Sequence, residues 1–469
     1  MADRIEKLTG YAAQFPVDEI PEAVIDYTQY LLQDTIACIL SGSSAAGVRE
    51  LLDAQNIWSG NEQARIISFS KMTSAPSAAF LNAVMCHAND FDDTHDGAVN
   101  HGCVTIVPAL LALCEVLNKG EIVASGIQRK EGLVSGREFL AALAVGLDVS
   151  NRLGMAFIPY LHVGWLPTTL WGPFGTAAAC GRLLGLDKAQ MRNAFGLAYS
   201  QMHGNRQGLA DGALSKRIQP AFSAVAGLQA ALFASQGITG ARHIIDGAFG
   251  IRELYTNGKL DAEFLNKGLG VRFETTKISV KPYPCCRCSH PVIDAALELK
   301  SEHGIDWWNI TSGSINLPPQ SMGQIGNQFA IRENPTVDAQ FSAQYTAALA
   351  FINGWPRVED FEVEAIRENK DVQTLAKKFT PSAFSPESAG ILPVEMEIRM
   401  SDGREFSTRI ETAKGSPERP LTEEEVEMKF GMCVGNGIRK FSAEEKEALL
   451  GNLKKVKELE DISQLIDRL

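Results

Sequence analysis

Two stretches, GPFGTAAACGRLLGL (172–186) and PAFSAVAGLQAALFASQG (220–237), restrict what this chain can fold into. Alanine and glycine recur through both, so there is little side chain to hold neighbours apart and helix backbones can approach closely. Two further segments carry the start signal of a helix. Ser135 with Glu138 forms a capping-box pattern before FLAALAVGLDVSNRLG, and Asp187 with Gln190 does the same before MRNAFGLAYSQ. Pro21 sits where a first turn would begin, and the apolar positions from Val24 to Leu40 are too dense for a surface helix. The first 275 or so residues describe a large helical bundle in which ARIISF (64–69) is the one strand-like run.

After about residue 277 the texture changes. Short β-like runs appear, SINLP and then VEMEIRM, which is joined to REFSTRIE by the turn residues Ser401, Asp402 and Gly403. Helices interleave at PVIDAALEL and DAQFSAQYTAALAFI, so this unit reads as α+β. Capping boxes at Thr422/Glu425 and Ser442/Glu445 then open two further helices, expected to rejoin the first unit. The expectation is a mainly α protein with a discontinuous helical domain (1–276 and 416–469) and a smaller α+β lid domain (277–415). With 45% apolar residues in 469, there is enough material for a large core.

The formal net charge of −12 argues against nucleic acid as a partner. No apolar leader follows a basic start, and eighteen apolar residues never run without a charge, so neither secretion nor a membrane is expected. Nine scattered cysteines, an odd number, fit reduced thiols in the cytoplasm.

Chemistry concentrates in HANDFDDTHDGAVNHGC (87–103), with three histidines and four aspartates. If the helix beginning near Ser74 runs to about Thr94, then His87, Asp90 and Thr94 share one face, Asp93 lies beside it and Asp92 points elsewhere. DGAVNHG is then a loop that holds His101 between two buried helices, where a base can reach a substrate. His87, Asp90 and His101 could ligate a metal, but no HExxH and no paired CxxC supports that choice, and acid/base work without metal is the better reading. Aspartates that merely cap a helix end are the bland alternative.

In KPYPCCRCSHP (281–291), Cys285 and Cys288 have C-x-x-C spacing and His290 follows, yet a fourth zinc ligand has no obvious source. A turn pinned by Pro282 and Pro284 that directs Lys281, Arg287 and His290 into an inter-domain cleft is preferred; a hinge with buried thiols competes with it. In GNRQGLADGALSKRIQPAF (204–222), Lys216 and Arg217 open the small-residue helix, where cations and free amides favour a carboxylate, unless both simply solvate a helix end.

In order and spacing, these motifs resemble the MmgE/PrpD family, which includes 2-methylcitrate dehydratase, cis-aconitate decarboxylase and iminodisuccinate epimerase. The likeness runs through DFDDTHDGAVNHG, GWLPTTLWGPFGTAAACGRLLGL, SKRIQPAFSAVAGLQAAL, KPYPCCRCSHPVIDA and NPTVDAQFSAQY. It implies a homodimer with an active site in the cleft between domains, working without metal or organic cofactor on a small di- or tricarboxylate. It places Asp90, Thr94, His101 and Lys216 among the catalytic groups and Lys281 with the substrate, and transfers Arg217 and His290 more weakly. Two positions depart from the pattern. Asp92 stands where the citrate-type dehydratases carry asparagine in DFNDT, and Leu166 in GWLPTT stands where the decarboxylases present histidine, His162 being the nearest imidazole.

The expected function is a cofactor-independent lyase or isomerase that moves a proton beside a carboxylate, by dehydration, decarboxylation or epimerisation. His101 would carry the proton, Asp90 and Thr94 would orient it or the substrate, and the lysines would hold carboxylates. An epimerase needs a second acid/base, for which Lys216, Tyr283 and His290 are the candidates. The rival is a carboxylate-binding homologue that has lost part of the proton machinery, with Leu166 as its warrant.

Overall fold

A computed structural model describes residues 3–58, 60–122, 133–384 and 390–469. Its first core is built from α1 (Glu22–Gly42), α2 (Ala75–His87), α3 (Gly102–Asn118), α4 (Gly136–Phe157), α5 (Pro167–Leu184) and α6 (Ser215–Ser235). The backbones of this bundle touch where glycines permit it. A Cβ on Gly146 of α4 would lie 2.7 Å from the Gly175 carbonyl of α5, and one on Gly175 would lie 2.8 Å from the Gly146 carbonyl. Gly227 of α6 likewise abuts Thr176 of α5, and Gly42 of α1 abuts the Met85 carbonyl of α2. The small-residue stretches thus let α4, α5 and α6 pack at distances that larger side chains forbid. Two helical segments, Gly136–Tyr160 and Ser215–Ser235, are long and apolar enough to cross a membrane, but the first is 89% buried within this core.

The capping boxes at Ser135, Asp187, Thr422 and Ser442 all form. ARIISF gives β1 (Ala64–Ile66), paired antiparallel with β2 (Lys71–Thr73), a strand the sequence did not announce.

A second core begins at Tyr283 and runs to Ile410. It packs α7 (His290–His303) and α8 (Ala343–Asn353) on a four-stranded sheet in the order β4-β3-β5-β6. In chain order these strands are β3 (Ile310–Leu317), β4 (Phe379–Ala383), β5 (Val394–Met400) and β6 (Glu405–Ile410). β3 pairs parallel with β4 and antiparallel with β5, which forms the expected hairpin with β6. The period-2 pattern of VEMEIRM buries Val394, Met396, Ile398 and Met400 on the core side. DAQFSAQYTAALAFI is two helices rather than one, because Ser342 accepts a hydrogen bond from the Tyr345 amide and starts α8 afresh. Helices α9 (Glu423–Asn436) and α10 (Ala443–Leu453) return to the first core, with α9 packed on α1.

Candidate functional site

Helix α2 ends at His87, earlier than the sequence spacing suggests. Asp90 then takes the left-handed conformation, φ 51°, and the chain reverses. The reversal corrects the expected helix to Thr94, and with it the expected direction of Asp92. Asp92 folds back under α2 as a fully buried carboxylate, 2.8 Å from Nδ1 of His87 and 3.2 Å from Nδ1 of His101. The two imidazoles meet edge to face, ring centres 5.0 Å apart.

Downstream, Thr94 and Ser279 exchange backbone hydrogen bonds (2.9 and 2.7 Å), joining the first motif to the segment that carries Lys281. His95 and Asn100 pair across the following loop, in which Val99 has φ 50°, a strained conformation for a β-branched residue. The loop delivers His101 to the start of α3, where its amide donates to Thr168 Oγ1 (3.0 Å). His101 Nδ1 lies 2.7 Å from the Asp93 carbonyl. A carbonyl only accepts, so Nδ1 carries the proton and Nε2 is the nitrogen left for chemistry. No hydrogen bond from that Nε2 to protein is found among the described residues.

Opposite stand two lysines. Lys281 Nζ lies 2.5 Å from Asp90 Oδ1 and donates to the Asp90 carbonyl, while Lys216 Nζ lies 2.9 Å from Asp90 Oδ2. One carboxylate between two ammonium groups leaves a net positive charge. Burial opposes the charged form of Asp90, yet Lys216 and Lys281 together hold its carboxyl far below the usual range. Burial alone would lower the Lys281 ammonium, but Asp90 and Asp92 raise it. Burial likewise works against ionised Asp92, and the His87 and His101 imidazoles outweigh it and hold Asp92 well below its ordinary value. His87, buried, is pushed down to about 4. Burial and the charge of Asp92 push the neighbouring Asp93 up to about 7.

Part of this cluster faces a cavity of about 490 Å³ between the two cores, with His87, Asp92 and Asp93 buried behind it. Asp90, Thr94, His101, Lys216 and Lys281 line it, as the sequence leads one to expect, and so does Arg287, which pairs with Asp96 at 3.1 Å. Three residues expected to face it, Arg217, Tyr283 and His290, do not line it. Arg217 follows Lys216 around the helix, and its guanidinium donates to the Ala46 carbonyl at 2.8 Å. The Tyr283 hydroxyl donates to Asp294 at 2.8 Å inside the second core. His290 is fully buried at the start of α7, with Nδ1 3.4 Å from Arg287 and Nε2 3.3 Å from the Cys285 carbonyl. Asp92 and Asp96 are the contributors that sequence spacing missed.

The trio His87, Asp90 and His101 does not converge on a metal position, because Asp90 is occupied by the lysines. Ligand atoms of His87, Asp92 and His101 do come within 4.8 Å of one another. Both Nδ1 atoms there are turned to acceptors, however, so the cluster is a hydrogen-bonded relay rather than a set of open donors. Cys285, Cys286 and Cys288 are free, buried thiols.

Comparison with known proteins agrees with this architecture. The MmgE/PrpD N-terminal domain matches residues 6–263, and the MmgE/PrpD C-terminal domain matches residues 283–455. The chain belongs to the MmgE/PrpD family. Cis-aconitate decarboxylase-like protein oryM of Aspergillus oryzae is 26% identical over 98% of the chain and 96% of its own length. The cis-aconitate decarboxylase of Aspergillus terreus is 25% identical over 98% and 95%, and that of Homo sapiens 25% over 96% and 91%.

Proposed function

We propose that the protein is a decarboxylating lyase that acts, without a metal or organic cofactor, on a small unsaturated di- or tricarboxylate. The observation that carries this reading is the unpartnered Nε2 of His101 in a cavity whose opposite wall is cationic. Similarity to proteins named cis-aconitate decarboxylases, over nearly their full length, favours loss of carbon dioxide over loss of water. Asp92 stands where the citrate-type dehydratases carry asparagine, which speaks against loss of water, while Leu166, where the decarboxylases present histidine, is the one departure from that branch.

In a substrate of this class one carboxylate is two bonds from a carbon–carbon double bond. Its C–C bond breaks, carbon dioxide leaves, and the bonding pair becomes a new double bond. The far alkene carbon then takes a proton from Nε2 of His101, which must enter the cycle as the imidazolium; its Nδ1–H stays on Asp92 and the Asp93 carbonyl, and solvent restores the Nε2 proton after product release. Lys216, Lys281 and Arg287 bind the carboxylates that remain. At about 4 Å, an uncompensated cation contributes roughly 4 kcal/mol in such partly screened surroundings. Thr94, fixed by its bridge to Ser279, keeps the two motifs in register.

We read the active form as a cytoplasmic homodimer. Phe222 and Phe233, about half exposed and eleven positions apart on α6, support an apolar interface there.

Incubating the protein with cis-aconitate, citrate, 2-methylcitrate and imino-dicarboxylates, and following each by NMR, tests the reaction. Carbon dioxide release from an unsaturated acid is expected. Tight binding with no turnover of any of them would leave a carboxylate-binding protein instead.

A further inference from the structure

The cavity is larger than a six-carbon tricarboxylate can fill, and much of its lining is apolar. Most of its charged groups gather around Asp90 and His101, while Arg206, which donates to the Val163 carbonyl, and His162 stand at the rim. From Thr168, which accepts the His101 amide, the chain leads back through Leu166, Trp165, Val163, Leu161 and Ile158, an apolar strip facing the cavity. Ile158, Leu161, Trp165 and Leu166 are only partly buried: Leu161 and Trp165 rest one side on the first core, Trp165 against Tyr255, and all four leave apolar surface on the cavity. Leu209 and Phe341 close the strip from the other side. Val163, Leu209 and Phe341 also line a second cavity of about 510 Å³, and Val163 is 76% exposed, so the strip leads from the reacting groups to the rim.

We propose that the substrate is a di- or tricarboxylate bearing a linear alkyl substituent of several carbons, with its tail along the strip from Leu166 to Val163. This rests on the carboxylate reading of the site, but not on the reaction assigned to it. The polar end alone satisfies the lysines and Arg287. An unsubstituted acid would leave the strip facing water, whereas each methylene laid on it gains about 0.8 kcal/mol, or roughly fourfold in affinity.

Calorimetric titration with succinate and its 2-ethyl, 2-butyl and 2-hexyl derivatives tests the tail separately from turnover. The dissociation constant should fall about fourfold for each added methylene, and Leu209→Asp should flatten the series. Affinities that stay level or weaken as the chain grows, or no binding by any member, would overturn the proposal. A parallel turnover assay with cis-aconitate and its alkyl-substituted homologues keeps the two readings apart. No turnover of any of them with a rising series sinks the lyase and leaves the tail site, and turnover with a flat series does the reverse.

Discussion

Asp92 Oδ2 stands 2.8 Å from Nδ1 of His87 and 3.2 Å from Nδ1 of His101, so one buried carboxylate fixes both imidazoles. Asp92→Asn replaces an acceptor-only group with one that can donate, and the relay loses its alignment. Turnover should drop roughly 10²- to 10⁴-fold with KM changed little, as steady-state kinetics would reveal. A loss confined to KM would instead place Asp92 in substrate binding.

How much of this was legible in the sequence depends on where each residue stands relative to an element's end. Capping boxes are local, so Ser135, Asp187, Thr422 and Ser442 could be read directly. Asp92 could not. Its direction follows from the left-handed turn at Asp90, and helical spacing carried past His87 assigns it to the wrong side. Lys216 and Lys281 were legible as isolated cations in small-residue surroundings, but their shared partner was not, because 126 and 191 residues separate them from Asp90. Arg217, Tyr283 and His290 carry the right chemistry next to the right motifs. Which of these side chains reaches the cavity is decided by packing against Ala46, Asp294 and Cys285, and no local pattern encodes those contacts.

The two lysines on Asp90 should respond differently to replacement. Lys216 is partly exposed, so Lys216→Met should raise KM roughly 10- to 100-fold while the melting temperature holds. Lys281 is fully buried, and Lys281→Met should also destabilise the fold by about 3 kcal/mol, since Asp90 loses its closest partner. Thermal melts beside the kinetics separate the two behaviours.

Asp93 and His87 act oppositely on stability between pH 4 and 7. Asp93 is raised in the folded state from 3.8 to about 7, so its stabilising contribution is present at low pH and is lost as pH rises towards 7. His87 is lowered from 6.5 to about 4, so its contribution is present above 6.5 and lost as pH falls to 4. The two slopes offset each other in the native protein. Asp93→Asn removes one of them, and denaturant unfolding should then show up to about 3 kcal/mol lost on acidification from pH 6.5 to 4. An unaltered pH profile would contradict this pairing.

Lys429 of α9 lies 2.5 Å from Asp34 of α1 and donates to the Phe91 carbonyl at 2.9 Å, clamping the site loop from the C-terminal helix. Lys429→Met leaves the Asp34 charge buried and unpaired, with an expected cost of about 3–5 kcal/mol. Adding Asp34→Leu should recover most of that stability in chemical denaturation. Failure of the double variant to recover would show that the Phe91 contact, not the ion pair, carries the effect.

The central claim is that His101 moves the proton. His101→Gln keeps a side chain of similar reach but has no titratable nitrogen. With whichever carboxylate the protein turns over, its kcat should fall at least a hundredfold, a magnitude of about 10² or more, while substrate affinity and melting temperature stay close to native. Turnover at the native rate by folded His101→Gln protein would contradict the account.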